Sequence, residues 1–188
     1  MSEPAKKKAV YEDLSTIPEN MTGEIIDGEL VVTPRPSRKH GFAATALSGK
    51  IGTPYQFGEG GGPGGWIFIV EPEIGFEENI LVPDIAGWKR ERFPGAEAHN
   101  WISVAPDWIC EVLSPHTARY DRIGKMRIYI RHRVPYVWLV DPILMTLEAY
   151  SIEPDGRLIL NSFVGNEKAR VEPFSELELD LGVFWLEE

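Results

Sequence analysis

Two carboxylates in this sequence stand where carboxylates are costly. In Asp-Trp-Ile-Cys-Glu-Val-Leu (107–113) strand alternation puts Ile109, Glu111 and Leu113 on one face and Trp108, Cys110 and Val112 on the other. Apolar residues on both faces predict a buried strand, so Glu111 is an acid inside it. Asp84 is similar, with Val82 and Ala86 on its face and Pro83 and Ile85 opposite. Burying an unpaired charge is unfavourable, so such groups are ion-paired, neutralised or bound to a cation. For one acid, a salt bridge to an arginine of the next helix is the ordinary explanation. Two acids on neighbouring strands raise each other's pKa, and a divalent cation removes that penalty. Oxygen-only donors suit a hard ion such as magnesium or manganese. There the ion would polarise a phosphoryl oxygen and activate water. A lysine close by would orient that water or stabilise developing negative charge, and Lys125 lies on the next segment.

The elements that must position these groups are short. Residues 9–20 predict a helix around Val10 and Leu14, ending near Pro18. Residues 24–32 predict two strands around Asp27-Gly28, the strongest short hairpin signal. A helix over 37–51 has Ser37 as its cap. The run Gly-Glu-Gly-Gly-Gly-Pro-Gly-Gly at 58–65 is a loop, and Gly49-Lys50-Ile51 lacks the Ser or Thr of a phosphate loop. Strands are expected at 66–70, at 80–88 with Pro83 inside, at 107–113 and at 134–140. Residues 118–132 predict a helix in which Ile123, Met126 and Ile130 form the apolar stripe against the sheet. Arg122, Lys125, Tyr129 and His132 share another face. Residues 145–152 and 158–163 flank Pro-Asp-Gly as a hairpin, and 172–188 close the domain as strand or loop. The order is that of a mixed α/β domain.

Composition narrows the class. The chain has 188 residues and a formal net charge of −10, with 43% hydrophobic and 26% charged residues. One domain over 9–188 with a disordered tail over 1–8 is expected. No apolar run approaches the ~20 residues of a membrane helix, and no apolar run follows Lys6–Lys8 as in a signal peptide. The expected setting is cytoplasmic, with no membrane partner. Cys110 is the one cysteine, so no internal disulfide or thiolate cage forms. An acidic chain is a poor non-specific binder of nucleic acid. Arg119–Arg133, however, carries six Lys and Arg against the single acid Asp121.

Other candidates have plainer roles. Asp27 serves the turn, Glu29 is solvated, and Cys110 is a small buried hydrophobe. Ser114 caps a helix, since no nucleophile elbow surrounds it. The tryptophans are core or interface residues. His40, His99, His116 and His132 lack zinc spacing, although His40 or His116 could lie near the cleft.

Taken in order, Glu24-Ile-Ile-Asp27-Gly-Glu29-Leu, Pro83-Asp84, Pro106-Asp-Trp-Ile-Cys-Glu111-Val-Leu-Ser114, Asp121-x3-Lys125-x3-Tyr129 and Val134-Pro-Tyr-Val-Trp-Leu-Val-Asp141 resemble the Uma-two family of restriction-endonuclease-like bacterial proteins. The resemblance runs from about residue 10 to the C-terminus. It implies a restriction-endonuclease-like fold of the PD-(D/E)XK type: a central mixed sheet flanked by helices, here with an N-terminal hairpin. It implies Asp84 and Glu111 as acidic metal ligands, with Glu24 as the acid contributed from near the N-terminus. Lys125 would be the catalytic lysine, moved onto the helix, because Leu113 occupies the strand position where such nucleases carry it. Asp121 and Tyr129 frame that lysine, and His40 matches a recurrent histidine. Gly23 replaces the aromatic residue that usually precedes Glu24. The implied activity is magnesium-dependent hydrolysis of phosphodiester bonds in nucleic acid, DNA in the first instance, by a homodimer. Arg119 and Arg122 are its candidate nucleic-acid contacts. The alternative is a catalytically inactive module that keeps the scaffold and serves homodimerisation or protein binding.

Overall fold

The computed structural model describes residues 8–95 and 98–187. Residues 1–7 of the tail expected over 1–8 lie outside them, and Lys8 ion-pairs with Glu78 on the surface. The chain opens with one helical turn, α1 (Tyr11–Leu14), much shorter than the periodicity over 9–20 suggests. The hairpin β1 (Met21–Ile26) and β2 (Glu29–Pro34) follows. Ile26 pairs with Glu29, leaving Asp27 and Gly28 as a two-residue turn with φ of 50° and 79°. Both angles lie in the left-handed region, which is why Asp-Gly makes this turn. Helix α2 (Arg38–Ile51) starts at Ser37, whose hydroxyl accepts the His40 N–H at 3.3 Å. A π-helical turn, Gly52–Gln56, extends it.

After the glycine-rich loop come β3 (Trp66–Val70), β4 (Ile74–Phe76), β5 (Asn79–Leu81) and β6 (Ile85–Lys89). The single strand expected over 80–88 is two strands in different sheets. Pro83 cannot donate to a ladder, and the chain leaves the first sheet and enters the second across Val82-Pro83-Asp84. Strand β7 (Trp108–Val112) lies between β6 and β8 (Tyr136–Asp141), antiparallel to the first and parallel to the second. The connection between β7 and β8 carries a π-helical segment, Tyr120–Lys125, that continues into α3 (Met126–Arg131). The hairpin β9 (Thr146–Ile152) and β10 (Leu158–Val164) extends the sheet. A small pair, β11 (Lys168–Ala169) and β12 (Leu179–Asp180), and a 3-10 turn at Leu181–Phe184 end the fold.

The main sheet has the order β10-β9-β8-β7-β6-β3, and the smaller one β2-β1-β5-β4. The alternation in β7 sorts the two cores. Trp108, Cys110 and Val112 face α2 and the C-terminal segment. Ile109 and Leu113 face α3 and the small sheet. The sheet is therefore covered on both faces, as a mixed α/β domain requires. Phe174 plugs the first core, with Tyr55, Trp66, Phe68, Trp108 and Trp138 at ring distances of 4.7–5.7 Å.

The expected stripe on the second helix needs correction. Ile123 is 49% exposed, whereas Met126, Ile128 and Tyr129 are buried. The π-helical segment holds more residues per turn than an α-helix and rotates the inward face. Truncating Phe174→Ala is expected to cost about 3–5 kcal/mol, because a fully buried ring leaves a cavity among five aromatics. Urea unfolding followed by fluorescence measures it, and a loss below about 1 kcal/mol would mean the C-terminal segment does not close the core.

Candidate active site

The site forms where the two sheets meet the second helix. Glu24 comes from β1, Asp84 from the break before β6, Glu111 from β7, and Asp121, Lys125 and Tyr129 from the helix. Ile85 pairs with Cys110, so Asp84 stands one step along the ladder, beside Glu111. Its Oδ2 accepts the Val112 N–H at 2.6 Å, and its Oδ1 lies 3.0 Å from His40 Nε2. His40 reaches it from the first turn of α2.

Lys125 is the centre of the cluster. Its Nζ lies 2.9 Å from Glu24 Oε1, 3.1 Å from Asp121 Oδ1 and 3.3 Å from Glu111 Oε1. Tyr129 donates its hydroxyl to Glu111 Oε1 at 2.5 Å. Glu24 Oε1 also accepts the Val82 N–H at 2.7 Å, which ties the hairpin to the Pro83 break. Glu24, Glu111, Asp121 and Lys125 are all buried. Asp121 and Lys125 are four residues apart and therefore meet on one side of the helix. Gly124 lets that helix approach β1: a Cβ there would stand 3.3 Å from Ile26 Cγ2. Gly23 has a similar reason. A Cβ at this position would collide with Ile17 Cδ1 at 1.9 Å, so Ile17 and Leu14 fill the space beside Glu24.

Glu24, His40, Asp84, Glu111, Asp121 and Lys125 line one cavity of about 430 Å³. Sequence reasoning did not single out Thr22, Thr33, Arg35, Glu71 or Thr117, which line it too. They lie on strand ends and loops, where no periodic signal marks them. His116, left open by the sequence, also faces this cavity. Ser114 Oγ accepts the Thr117 N–H at 3.2 Å, the capping role expected of it. The two arginines part company. Arg122 is held by Glu148 at 2.8 Å, while Arg119 is exposed.

Residues 10–182 match the family described as "Uma2: Putative restriction endonuclease". The chain belongs to this family. A solved structure described as a "putative nuclease belonging to DUF820 from Anabaena variabilis ATCC 29413" is similar over 94% of this chain and 97% of that one, with a TM-score of 0.73 and 24% identity. That likeness shows the shared fold. No curated protein matches the chain with significance.

The Uma2 chain's cluster has unusual electrostatics. Complete burial pushes the Glu111 carboxyl well above the usual carboxylate range, against Lys125 and with the help of Asp121, Asp84 and Glu24. Burial also raises Glu24, with Lys125 and the Val82 N–H opposing. For Lys125 burial works against the ammonium, but Glu111, Glu24 and Asp121 outweigh it and hold its pKa well above the ordinary value. Burial lowers His40, yet its hydrogen bond to Asp84 and the charges around it prevail and raise it. Lys125 thus remains charged, and one cation is shared among three acids.

Two outcomes follow for stability. Lys125→Met leaves three buried acidic groups without their shared counter-charge and is expected to cost about 3–5 kcal/mol in urea unfolding. Above the ordinary carboxylate value of 4.5, folded Glu111 and Glu24 retain protons that the unfolded chain has released. Their contribution therefore makes stability fall as pH rises through that range. Glu111→Gln removes its share. In chelator-containing buffer the melting temperature of the variant minus that of the wild type is expected to grow between about pH 5 and about pH 8. A difference that stays flat would mean Glu111 is ionised throughout.

Proposed function

We propose that this chain is a magnesium-dependent endonuclease that hydrolyses phosphodiester bonds of DNA, with manganese as a substitute ion. The observation that carries the reading is the convergence of Asp84, Glu111, Glu24 and Lys125 on one open cavity. Membership of the family supports the reaction class. It does not by itself fix the chemistry, since function resides in the site and not in the fold.

The donor chemistry fits the ion. Asp84 and Glu111 offer two carboxylates from adjoining strands, and the cavity leaves room for water. Among the described residues no group of three or more His, Cys, Asp or Glu forms a cage for a metal. Magnesium suits such a sparse site because it keeps several waters and takes one or two carboxylates. When bound, it would supply polarisation of the phosphoryl oxygen and a more acidic water.

The remaining work falls to side chains of the chain itself. Lys125 presents a fixed positive charge at the wall of the cavity, where negative charge grows on the phosphoryl group. Glu24 and Asp121 hold its ammonium in place. Tyr129 orients Glu111 through its hydroxyl, and His40 orients Asp84. Arg119 is the candidate contact to the nucleic-acid backbone, whereas Arg122 must leave Glu148 before it can reach a phosphate. We assign the active species as a homodimer in the cytoplasm, the arrangement that lets two sites act on two strands.

A specific observation favours a second reading. Lys125 already neutralises the acids as an internal cation, which an inactive module built for protein contacts would also require. Calorimetry with magnesium and manganese, with and without a DNA duplex, separates the two. The variant of choice is Asp84→Asn, since Asp84 is only partly buried and the substitution keeps its shape. Wild type is expected to bind the ion and nick supercoiled plasmid. Asp84→Asn should lose at least tenfold in ion affinity and all nicking while keeping its melting temperature. Absence of both binding and nicking in the wild type, even with DNA present, would overturn the nuclease reading in favour of the inactive module.

A further inference from the structure

The edge of the main sheet opposite β3 is β10, a seven-residue strand without a charge. β10 pairs with β9 along its inner edge, and among the described residues no strand covers the outer one. Leu158, Ile159, Leu160 and Val164 are 40–56% exposed. Natural edge strands are normally shielded by charge, proline, a bulge or a covering group. The opposite edge is shielded: Gln56 Oε1 accepts the Phe68 N–H of β3 at 2.7 Å. β10 has such a guard only at its end, where the Glu167 carboxylate accepts the Val164 N–H at 3.2 Å.

The hydrogen-bond phase of β10 follows from its neighbours. Gly165 donates inward to the Met145 carbonyl, and the Arg157 carbonyl accepts inward from Glu153. Odd-numbered positions therefore face β9. Leu158, Leu160 and Ser162 turn their N–H and C=O groups outward, because backbone direction alternates along a strand.

We propose that this edge is the dimer interface: β10 pairs antiparallel with β10 of a second copy, joining two main sheets into one. The proposal rests on the homodimer assigned above and not on the nuclease chemistry. Three features select a second copy as the occupant. Antiparallel pairing about Asn161 puts Leu158 opposite Val164, Ile159 opposite Phe163 and Leu160 opposite Ser162, so apolar residues meet apolar residues in two of the three pairs. It also brings Arg157, which pairs with Asp155 of its own chain at 2.7 Å, toward Glu167 of the other copy, twice over, so that each exposed arginine gains a second acid as Glu167 releases the Val164 N–H to the new ladder. Parallel pairing would instead set like ends together. Finally, a chain of net charge −10 repels itself over most of its surface, and β10 is a strip where that repulsion is absent.

The test uses the full chain without metal or DNA, so its failure is separable from failure of the nuclease reading. Light scattering after size exclusion is expected to give a dimer for the wild type. Leu160→Lys places two ammonium groups near the two-fold axis and should weaken the dimer at least tenfold. Its melting temperature should follow the dimer's concentration dependence only, because Leu160 is half exposed. Asn161→Cys supplies a positive signal. Asn161 pairs with itself at a non-hydrogen-bonded position, where Cα atoms lie about 4.5 Å apart, within the range a disulfide spans. Cys110 is fully buried and leaves the background silent. Mild oxidation should link Asn161→Cys into a covalent dimer and leave Phe57→Cys, exposed elsewhere, unlinked. A monomeric wild type at high concentration would overturn the proposal. So would a dimer that persists in Leu160→Lys while Asn161→Cys fails to cross-link.

Discussion

One ammonium group holds together three acids from three separate elements. Lys125 Nζ is within 3.3 Å of oxygens from Glu24, Glu111 and Asp121, and all four residues are buried. In a low-dielectric setting the desolvation of such groups is unfavourable, and their mutual attraction offsets it only when the geometry is well matched. The matching therefore sets conditions on the surrounding fold. β1 must cross near the end of β7, so the hairpin turn must be tight. The helix must approach β1 closely, and Gly124 eases that contact, since a Cβ there would stand 3.3 Å from Ile26 Cγ2. Glu111 must stay on the face of β7 that meets the helix, which requires Cys110 and Val112 to fill the other core.

The Val82-Pro83-Asp84 break meets several of these conditions at once. It ends the small sheet, begins the main one and offers a backbone N–H to Glu24 from Val82. Asp84 then returns a side-chain acceptor to the Val112 N–H, adjacent to Glu111. The two acids on the cavity wall are thus fixed by backbone donors. Such positioning is less mobile than a contact between two flexible side chains, and it is what a preorganised site needs.

Much of this was legible in the residues. The period of two in β7 placed Glu111 and Cys110 on opposite faces, and Asp27-Gly28 announced the hairpin. Ser37 announced the start of α2. What could not be read was whatever depends on contacts between distant segments. The run 80–88 looks like one strand because apolar residues continue through it, and only its pairing partners reveal the split at Pro83. β4 is three residues long and has no pattern of its own. The helix over 120–131 was phased as an α-helix, so Ile123 was placed inward. A π-helical segment leaves no mark in apolar spacing. The role of Phe174 is similarly hidden, since an aromatic flanked by Pro173 and Ser175 in an acidic tail has no periodic signal.

The position of the lysine is the point at which sequence and structure explain one another. Leu113, two residues beyond Glu111, is buried among apolar neighbours in the core that faces the helix. A lysine there would have to bury its ammonium within that core or strain to leave it. Carrying the charge on the helix avoids this. Asp121, Lys125 and Tyr129 follow one another at intervals of four, so one inward face supplies the cation, an acid that fixes it and a hydroxyl that orients Glu111. The cost of that arrangement is dependence on docking: Glu24 and Glu111 ride on strands, the cation and Asp121 on a helix, and their registry exists only while the helix is seated. Met126, Ile128 and Tyr129 seat it through the same core that excludes a lysine from position 113. Apolar packing of the helix thereby determines where its buried charge stands.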